Sequence, residues 1–468
     1  MNDASRLLPS DSPGTPDRWF MLAYVGMNYF VLYTHRNLVN YIQPALMKTV
    51  ADGGLGLTDA ELGWLGPAWS VPYCAAQLFV GYLSDRYRRR TVILSSLMAS
   101  VLALAAMGLV RDINELLIGR ILLGLAQACA VPAMASVIAD CFTPRTRSKA
   151  VALYLFSYNC ALIAAGKFGG EIADVESFQV PLGSTTWVVT GWRMAHFAFA
   201  GVGLVGWLIL LVLLKEPSRT ERSEQEGLGT ATPSVWATLG AVFRVPTFLL
   251  MCLVFACNGI LGRVQQFWLP QHFYNIFNKS IGWRLEDTGF FATVWFQTGT
   301  MGGLFLGGLL ADRLASRWFR GRLVIQLIGW LAMAPTWLLL GTQESAAILA
   351  IGMFVYGLGL GFFQANLWTA TFEVIDPAAR ATAVGLLNLT SGLLVLSWFD
   401  PVIGMLESSA KAAGGSLLDT MITSAAGVSG FALLLTLLIV SITLPRDYIG
   451  ERPGAARTGD TQGQPERP

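Results

Sequence analysis

Gly81-Tyr82-Leu83-Ser84-Asp85-Arg86 returns 227 residues later as Gly308-Leu309-Leu310-Ala311-Asp312-Arg313, and Arg90 meets Arg317 at the same offset. Each copy follows an apolar run and opens a basic cluster. A second echo pairs Pro144, Arg147 and Ala150 with Pro377, Arg380 and Ala383, offset by 233. Two matches at nearly one offset read as an internal duplication. Working outward from them, apolar stretches about as long as a bilayer is thick recur at residues 19 to 46, 62 to 83, 91 to 110, 116 to 140, 149 to 171, 193 to 214, 246 to 270, 288 to 311, 323 to 341, 346 to 372, 380 to 404 and 422 to 444. That predicts an all-α membrane protein of twelve transmembrane helices in two pseudo-symmetric six-helix bundles.

Composition supports that class. Hydrophobic residues make up 54% of the chain and charged ones only 13%. Stretches such as Phe197 to Leu214 are apolar all round, which suits lipid and not a soluble helix with one wet face. Lys and Arg concentrate in the termini and in the even-numbered connections, so both termini are expected in the cytoplasm of a multi-pass inner-membrane protein. The expected domains are a cytoplasmic tail (1–18), a first bundle (19–214), a cytoplasmic linker (215–245), a second bundle (246–444) and a disordered cytoplasmic tail (445–468). A net charge of +2 implies no nucleic-acid partner. Six cysteines with no metal-like spacing read as packing residues, with no metal, cofactor or disulfide expected. There is no Gly/Lys loop for cradling phosphates, so neither ATP as an energy source nor an enzyme activity is expected. Duplicated six-helix halves are the layout of rocker-type carriers, which bind solute between the halves.

The chain resembles the major facilitator superfamily over residues 19 to 445. Four motifs carry the resemblance: Gly81 to Arg90 between helices two and three, Arg120-Ile121-Leu122-Leu123-Gly124 in helix four, Gly191-Trp192-Arg193 opening helix six, and Asp376-Pro377-Ala378-Ala379-Arg380 before helix eleven. The resemblance implies that Gly81, Asp85, Arg86 and Arg90, with Gly308, Asp312, Arg313 and Arg380 in the second half, latch the cytoplasmic side during the cycle. Arg120 is expected in gating or structural pairing, as are Lys167 and Asp400, symmetry counterparts in the outer thirds of helices five and eleven.

For cargo, Arg36 and Arg263 are the informative residues. They lie 227 residues apart in the first helix of each half, with no acidic residue read at their depth. A guanidinium keeps its charge, and holding one in the membrane is costly unless water or an anion compensates. Tyr29, Tyr33, Arg36, Asn40 and Gln43 recur at steps of four, three, four and three, which puts them on one helix face. Tyr158, Asn159, Gln266, Gln364, Trp368 and Asn388 are further lining candidates, with interhelical hydrogen bonding as their alternative role. His35 is a candidate for proton coupling, with a neutral polar histidine as the alternative.

The segment Tyr33-Thr34-His35-Arg36, with Pro44 following, is similar to the organophosphate:phosphate antiporter and anion:cation symporter branches, and more distantly to Spinster-type carriers. Those last two branches usually place an acid where this chain has His35. The organophosphate branch has a second arginine matching Arg263, although alignment through Trp268-Leu269-Pro270 puts Gly262 at that place. The expected function is therefore secondary active transport of a small carboxylate or phosphoester, coupled to a proton or a counter-anion, by a monomer in contact with membrane lipid. The alternatives are efflux of amphipathic drugs or lysolipids and sphingolipids, and a non-transporting receptor with a transporter fold.

Overall fold

The computed structural model describes residues 17–449 apart from 87, 143, 183–184, 215–234, 377–378 and 396, with the backbone only at 17, 78–86, 131–132, 135–136, 139–140, 144–149, 180–182, 185–187, 235–238, 381, 391 and 393–394. Nearly all of the tails, most of the linker, Pro377 and the side chains of Pro144, Arg147, Asp85 and Arg86 thus lie outside the described residues, Gly81 is described as helical backbone, and the tail expected to be disordered from 445 begins helical, through Asp447.

The first half contains α1 (Asp17–Tyr41), α2 (Gln43–Met47), α3 (Asp59–Gly63), α4 (Leu65–Arg86), α5 (Arg89–Met107), α6 (Ile113–Gln127), α7 (Ala130–Cys141), α8 (Pro144–Ala173) and α9 (Gly191–Leu213). The second contains α10 (Val235–Phe243), α11 (Pro246–Arg263), α12 (Leu269–Ile281), α13 (Leu285–Ala315), α14 (Gly321–Thr342), α15 (Ala346–Phe372), α16 (Arg380–Leu389), α17 (Phe399–Ala412), α18 (Leu418–Leu438) and α19 (Leu444–Asp447). Among the described residues, seven helical segments are long and apolar enough to cross a membrane. Each half packs around its own apolar core, but Phe267 and Trp268 of the second half are buried in the core of the first.

The structure adds detail to the expected elements and departs from them in places. Pro44 at the start of α2 cannot continue the α1 hydrogen-bond ladder, so the expected helix 19–46 breaks at Ile42. Val264–Trp268, Thr390–Val395 and Ile439–Thr443 form π-helical turns inside segments expected to be plain α-helix. A two-stranded antiparallel hairpin, β1 (Phe178–Leu182) with β2 (Thr185–Val189), occupies the connection between the expected helices 149–171 and 193–214. Finally, α10 forms within the expected linker, and α12 and α17 run well past the expected ends at 270 and 404.

Those extensions matter because they close one end of the molecule. At the ends of the helices away from the termini, α8 crosses α13 with Gly166 against Gly289, each with its Cα face on the other's carbonyl, and neither has room for a Cβ. On the opposite flank, Gly63 packs on the Asp400 backbone and Gly404 on the Asp59 backbone. Polar bonds tie the same end. The Ala60 N–H donates to Ser408 Oγ (2.9 Å), Gln271 Nε2 donates to Asp59 Oδ1 (2.8 Å), and Lys411 Nζ pairs with Asp59 Oδ2 (2.7 Å). Lys167 pairs with Glu286 at 3.2 Å, and the Asp174 carboxylate caps α13 by accepting from Leu285 N at 2.7 Å. Burial pushes the Asp174 carboxyl above its usual range, against the pull of the α13 N–H groups and of Arg284.

If this close crossing of backbones holds the end shut, Gly289→Leu should pry it open. A cysteine placed at Ser408, in a background lacking the native cysteines, should then react with a maleimide about tenfold faster, equivalent to about 1.4 kcal/mol of lost closure. An unchanged labelling rate would show that the seal lies elsewhere.

Candidate functional site

Arg36, Asn37 and Asn40 of α1, Gly66, Trp69 and Ser70 of α4, Arg120 of α6 and Arg263 of α11 surround one cavity of about 10 Å³. That is room for about one water molecule. The two arginines singled out from the sequence therefore meet at one point from opposite halves. Arg36 is held through the face of its guanidinium, which lies 3.7 Å from the Trp69 ring centroid and 5.2 Å from that of Tyr33. Stacking of this kind suits the weakly hydrated guanidinium and leaves its in-plane N–H donors free for a ligand. One of them, Nη1, reaches the Tyr33 hydroxyl at 3.4 Å. No carboxylate pairs with Arg36 among the described residues.

Arg263 is different, and it corrects the expectation that no acid lies at its depth. Its Nε donates to Asp400 Oδ2 at 2.7 Å and its Nη2 lies against the same oxygen, while Trp268 Nε1 donates to Asp400 Oδ1 at 3.1 Å. Asp400, expected in the outer third of helix eleven, lies beside the closed end, where Gly63 packs on its backbone, and Arg263 reaches that level. Asp400 is fully buried (0% exposed), and Gly66 of the other half packs directly on the pair.

Arg120, expected in gating, belongs to the cavity wall. Its Nη1 donates to the Arg36 carbonyl at 2.9 Å and its Nε to the Leu65 carbonyl at 3.0 Å, so it ties α1 to the start of α4. Ser70 was missed in the sequence, although its buried hydroxyl has no hydrogen-bond partner among the described residues. Asn37, Gly66 and Trp69 were missed as well. A polar residue one position off the 29-33-36-40-43 stripe is the only signal that could have indicated Asn37.

Beside the cavity stands a cluster of tyrosines. Tyr29 stacks on Tyr154 (centroids 4.0 Å apart), Tyr33 meets Tyr158 edge to face (4.8 Å), and Gln266 of the second half donates to the Tyr158 hydroxyl at 3.1 Å. Gln43 does not line the cavity; its Nε2 donates to the Phe267 carbonyl at 2.9 Å, joining the halves above it.

The other candidates lie away from the arginines. Asn159 donates to the Leu155 carbonyl of its own helix (3.0 Å). Trp368 packs on Phe255 (6.3 Å), Gln364 is half-buried on α15, and Asn388 is exposed on α16. His35 faces into its own bundle, with Nδ1 on Ser100 Oγ (3.1 Å) and Nε2 on the Phe199 carbonyl (3.0 Å). Among the latch candidates, Arg90 binds the terminal carbonyls of α9 at Leu211 (2.5 Å) and Leu214 (2.6 Å). Asp312 pairs with Arg322 (2.9 Å), which also holds Glu373 (2.9 Å). Arg380 donates to the Phe372 carbonyl (2.9 Å), Arg313 is exposed, and a Cβ at Gly308 would meet nothing.

A separate apolar groove of about 460 Å³ runs between α1 and α8, lined by Trp19, Leu22, Met27, Phe30, Leu153 and Phe156 among others.

A buried pair that loses one member leaves the other charge uncompensated, at a cost of about 3–5 kcal/mol. Arg263→Gln should lower unfolding stability by about that amount, and Arg263→Gln with Asp400→Asn should regain most of it. Denaturant unfolding of the single and double variants checks both. Equal stability of the single variant and the parent would mean that the pair is not a unit.

Comparison with known proteins fits this geometry. The chain matches the family model of the Major Facilitator Superfamily over residues 25–397. It is 24% identical to the probable sulfoacetate transporter SauU of Cupriavidus necator, covering 93% of this chain and 97% of that one. It is also 24% identical to the probable L-galactonate transporter of Escherichia coli, over 75% of each chain. The crystal structure of a bacterial homolog of the human lysosomal transporter Spinster, inward-facing and unoccupied, superposes with a TM-score of 0.75 at 18% identity, covering 93% of this chain and 99% of that one. The chain is a transporter of the major facilitator superfamily.

Proposed function

We propose that this protein carries a small organic anion across the membrane, with Arg36 and Arg263 as the groups that bind it. The observation carrying this reading is that guanidiniums from opposite halves line one cavity, and that Arg36 has free in-plane donors and no carboxylate partner among the described residues. Each arginine can give a carboxylate, sulfonate or phosphoester a bidentate pair of charge-assisted hydrogen bonds. Ser70, Asn37, Asn40 and Tyr33 supply neutral polar groups beside them.

In this reading the chain spans the membrane twelve times, six per half, with cytoplasmic termini in the inner membrane, and works as a monomer. The sealed end then faces outward and the cavity is reached from the cytoplasm. An anion bridging Arg36 and Arg263 offsets their repulsion and draws the halves together, so loaded carrier changes state more readily than empty carrier, as symport or exchange requires. The two named relatives support the cargo class, since sulfoacetate and L-galactonate are both small organic anions. The apolar groove between α1 and α8 favours a second reading, efflux of amphipathic molecules, in which the arginines would hold a charged headgroup.

Purified protein should be stabilised by about 2.7 kcal/mol by an anion at 100 times its dissociation constant. Sulfoacetate, L-galactonate, simple phosphoesters, lysolipids and cationic drugs form the panel. Arg36→Ala should abolish the stabilisation by anions, and Arg36→Lys should restore only part, because a point charge cannot donate in bidentate fashion. Stabilisation by lysolipids or cations alone, or equal stabilisation of parent and Arg36→Ala, would overturn the anion reading and promote the second.

A further inference from the structure

A carrier of this kind needs a driving ion, and the site contains a group placed to take a proton in step with the anion. Asp400 has two direct polar partners, Arg263 and Trp268 Nε1. The charged groups facing it are Arg263 from α11, Arg120 from α6 and, across the cavity, Arg36 from α1. Further along α17 lie Glu407, about two turns on, which caps α18 by accepting from Leu417 N at 2.7 Å, and Lys411, which holds Asp59 of α3 at 2.7 Å. On α12 and α18, His272 pairs with Asp419 at 3.1 Å. Each of those other carboxylates has a partner of its own away from the cavity. Asp400 alone, among the described residues, shares its cation with the cavity wall: Arg263 stands between the carboxylate and the space where an anion would sit.

We propose that Asp400 is the proton-binding carboxylate of this carrier, and that Asp400 and the transported anion compete for Arg263. The proposal rests on the anion reading above. A proton from water forms an O–H bond on Oδ2, the N–H···O contacts from Nε and Nη2 break, and those donors turn to the oxygens of the anion. Nothing is oxidised or reduced. With Asp400 ionised, the three arginines and the carboxylate carry a net two positive charges; with Asp400 protonated they carry three.

The sign of the coupling follows. An anion on Arg263 removes the cation that favours the ionised carboxylate, so the proton is held more tightly. A proton on Asp400 frees Arg263, so the anion is held more tightly. Each ligand favours the other by the same factor, which is the condition for symport, not for exchange of proton against anion. This places the coupling carboxylate on the helix-eleven segment of the second half, while His35, on α1, is turned into its own bundle.

The test has one arm that needs an anion and one that does not. In calorimetry of the full chain with sulfoacetate and L-galactonate as probes, run in two buffers of different ionisation enthalpy, binding should take up close to one proton per anion. Affinity should rise about tenfold for each unit by which pH falls over the range where that uptake holds, and Asp400→Asn should abolish both the uptake and the slope. In ligand-free infrared titration of the parent protein, a protonated-carboxyl band should appear on acidification and be missing in Asp400→Asn; Asp400→Glu should restore it if the amide variant does not fold. Anion binding without proton uptake in the parent, or a pH slope that survives in Asp400→Asn, would overturn the proposal. If no anion binds at any pH, the anion reading fails by itself. The infrared arm still decides Asp400, since a titrating band assigns the proton site whatever the cargo, and its absence removes it.

Discussion

A guanidinium in an apolar bilayer must be compensated, and the site is arranged around how this chain compensates three of them. Arg120 is satisfied by the backbone carbonyls of Leu65 and Arg36. Arg263 is satisfied by Asp400. Arg36 is packed by the faces of Trp69 and Tyr33, which offer quadrupole attraction but no formal charge. The three solutions differ in how easily an anion can displace them. Carbonyls are fixed by their helices and a carboxylate can be neutralised by a proton, whereas a ring face competes for no in-plane donor at all. In the proposed reading, affinity for an anion therefore concentrates at Arg36, and conditional affinity at Arg263.

The rest of the architecture serves that arrangement. Gly66 is small enough for the Arg263–Asp400 pair to press against the first half, and Trp268 reaches the carboxylate from the core of the opposite bundle. The Gln43 to Phe267 bond and the Gln266 to Tyr158 bond join the halves in the same region, and on the second half both groups lie within four residues of Arg263. In the proposed reading, binding chemistry and closure thus share one set of residues, which would couple occupancy to conformation without any separate transmission route.

Much of this was legible in the sequence. The apolar runs marked an all-helical membrane protein, and the period of polar residues in α1 put Arg36 and Asn40 on the face that lines the cavity. The Arg263–Asp400 pair was not legible, because the period of one helix says nothing about which residue of another segment, 137 positions away, stands beside it. Tertiary facts such as the stacking of Trp69 on Arg36 leave no periodic trace, since Trp69 lies on a different helix, α4, with no polar stripe of its own around that position.

The crossings of Gly166 with Gly289, Gly63 with Asp400 and Gly404 with Asp59 bring main chain against main chain. A closure built that way orders few long side chains when it forms and releases few when it parts. Side-chain ordering costs up to about 2 kcal/mol per long residue, so a seal of interlocked Leu or Met residues would carry a large rotamer-entropy difference between open and shut. The glycine contacts avoid most of it. The balance between the two states should consequently depend only weakly on temperature through this interface, leaving the small charged cluster beneath it to decide which state prevails.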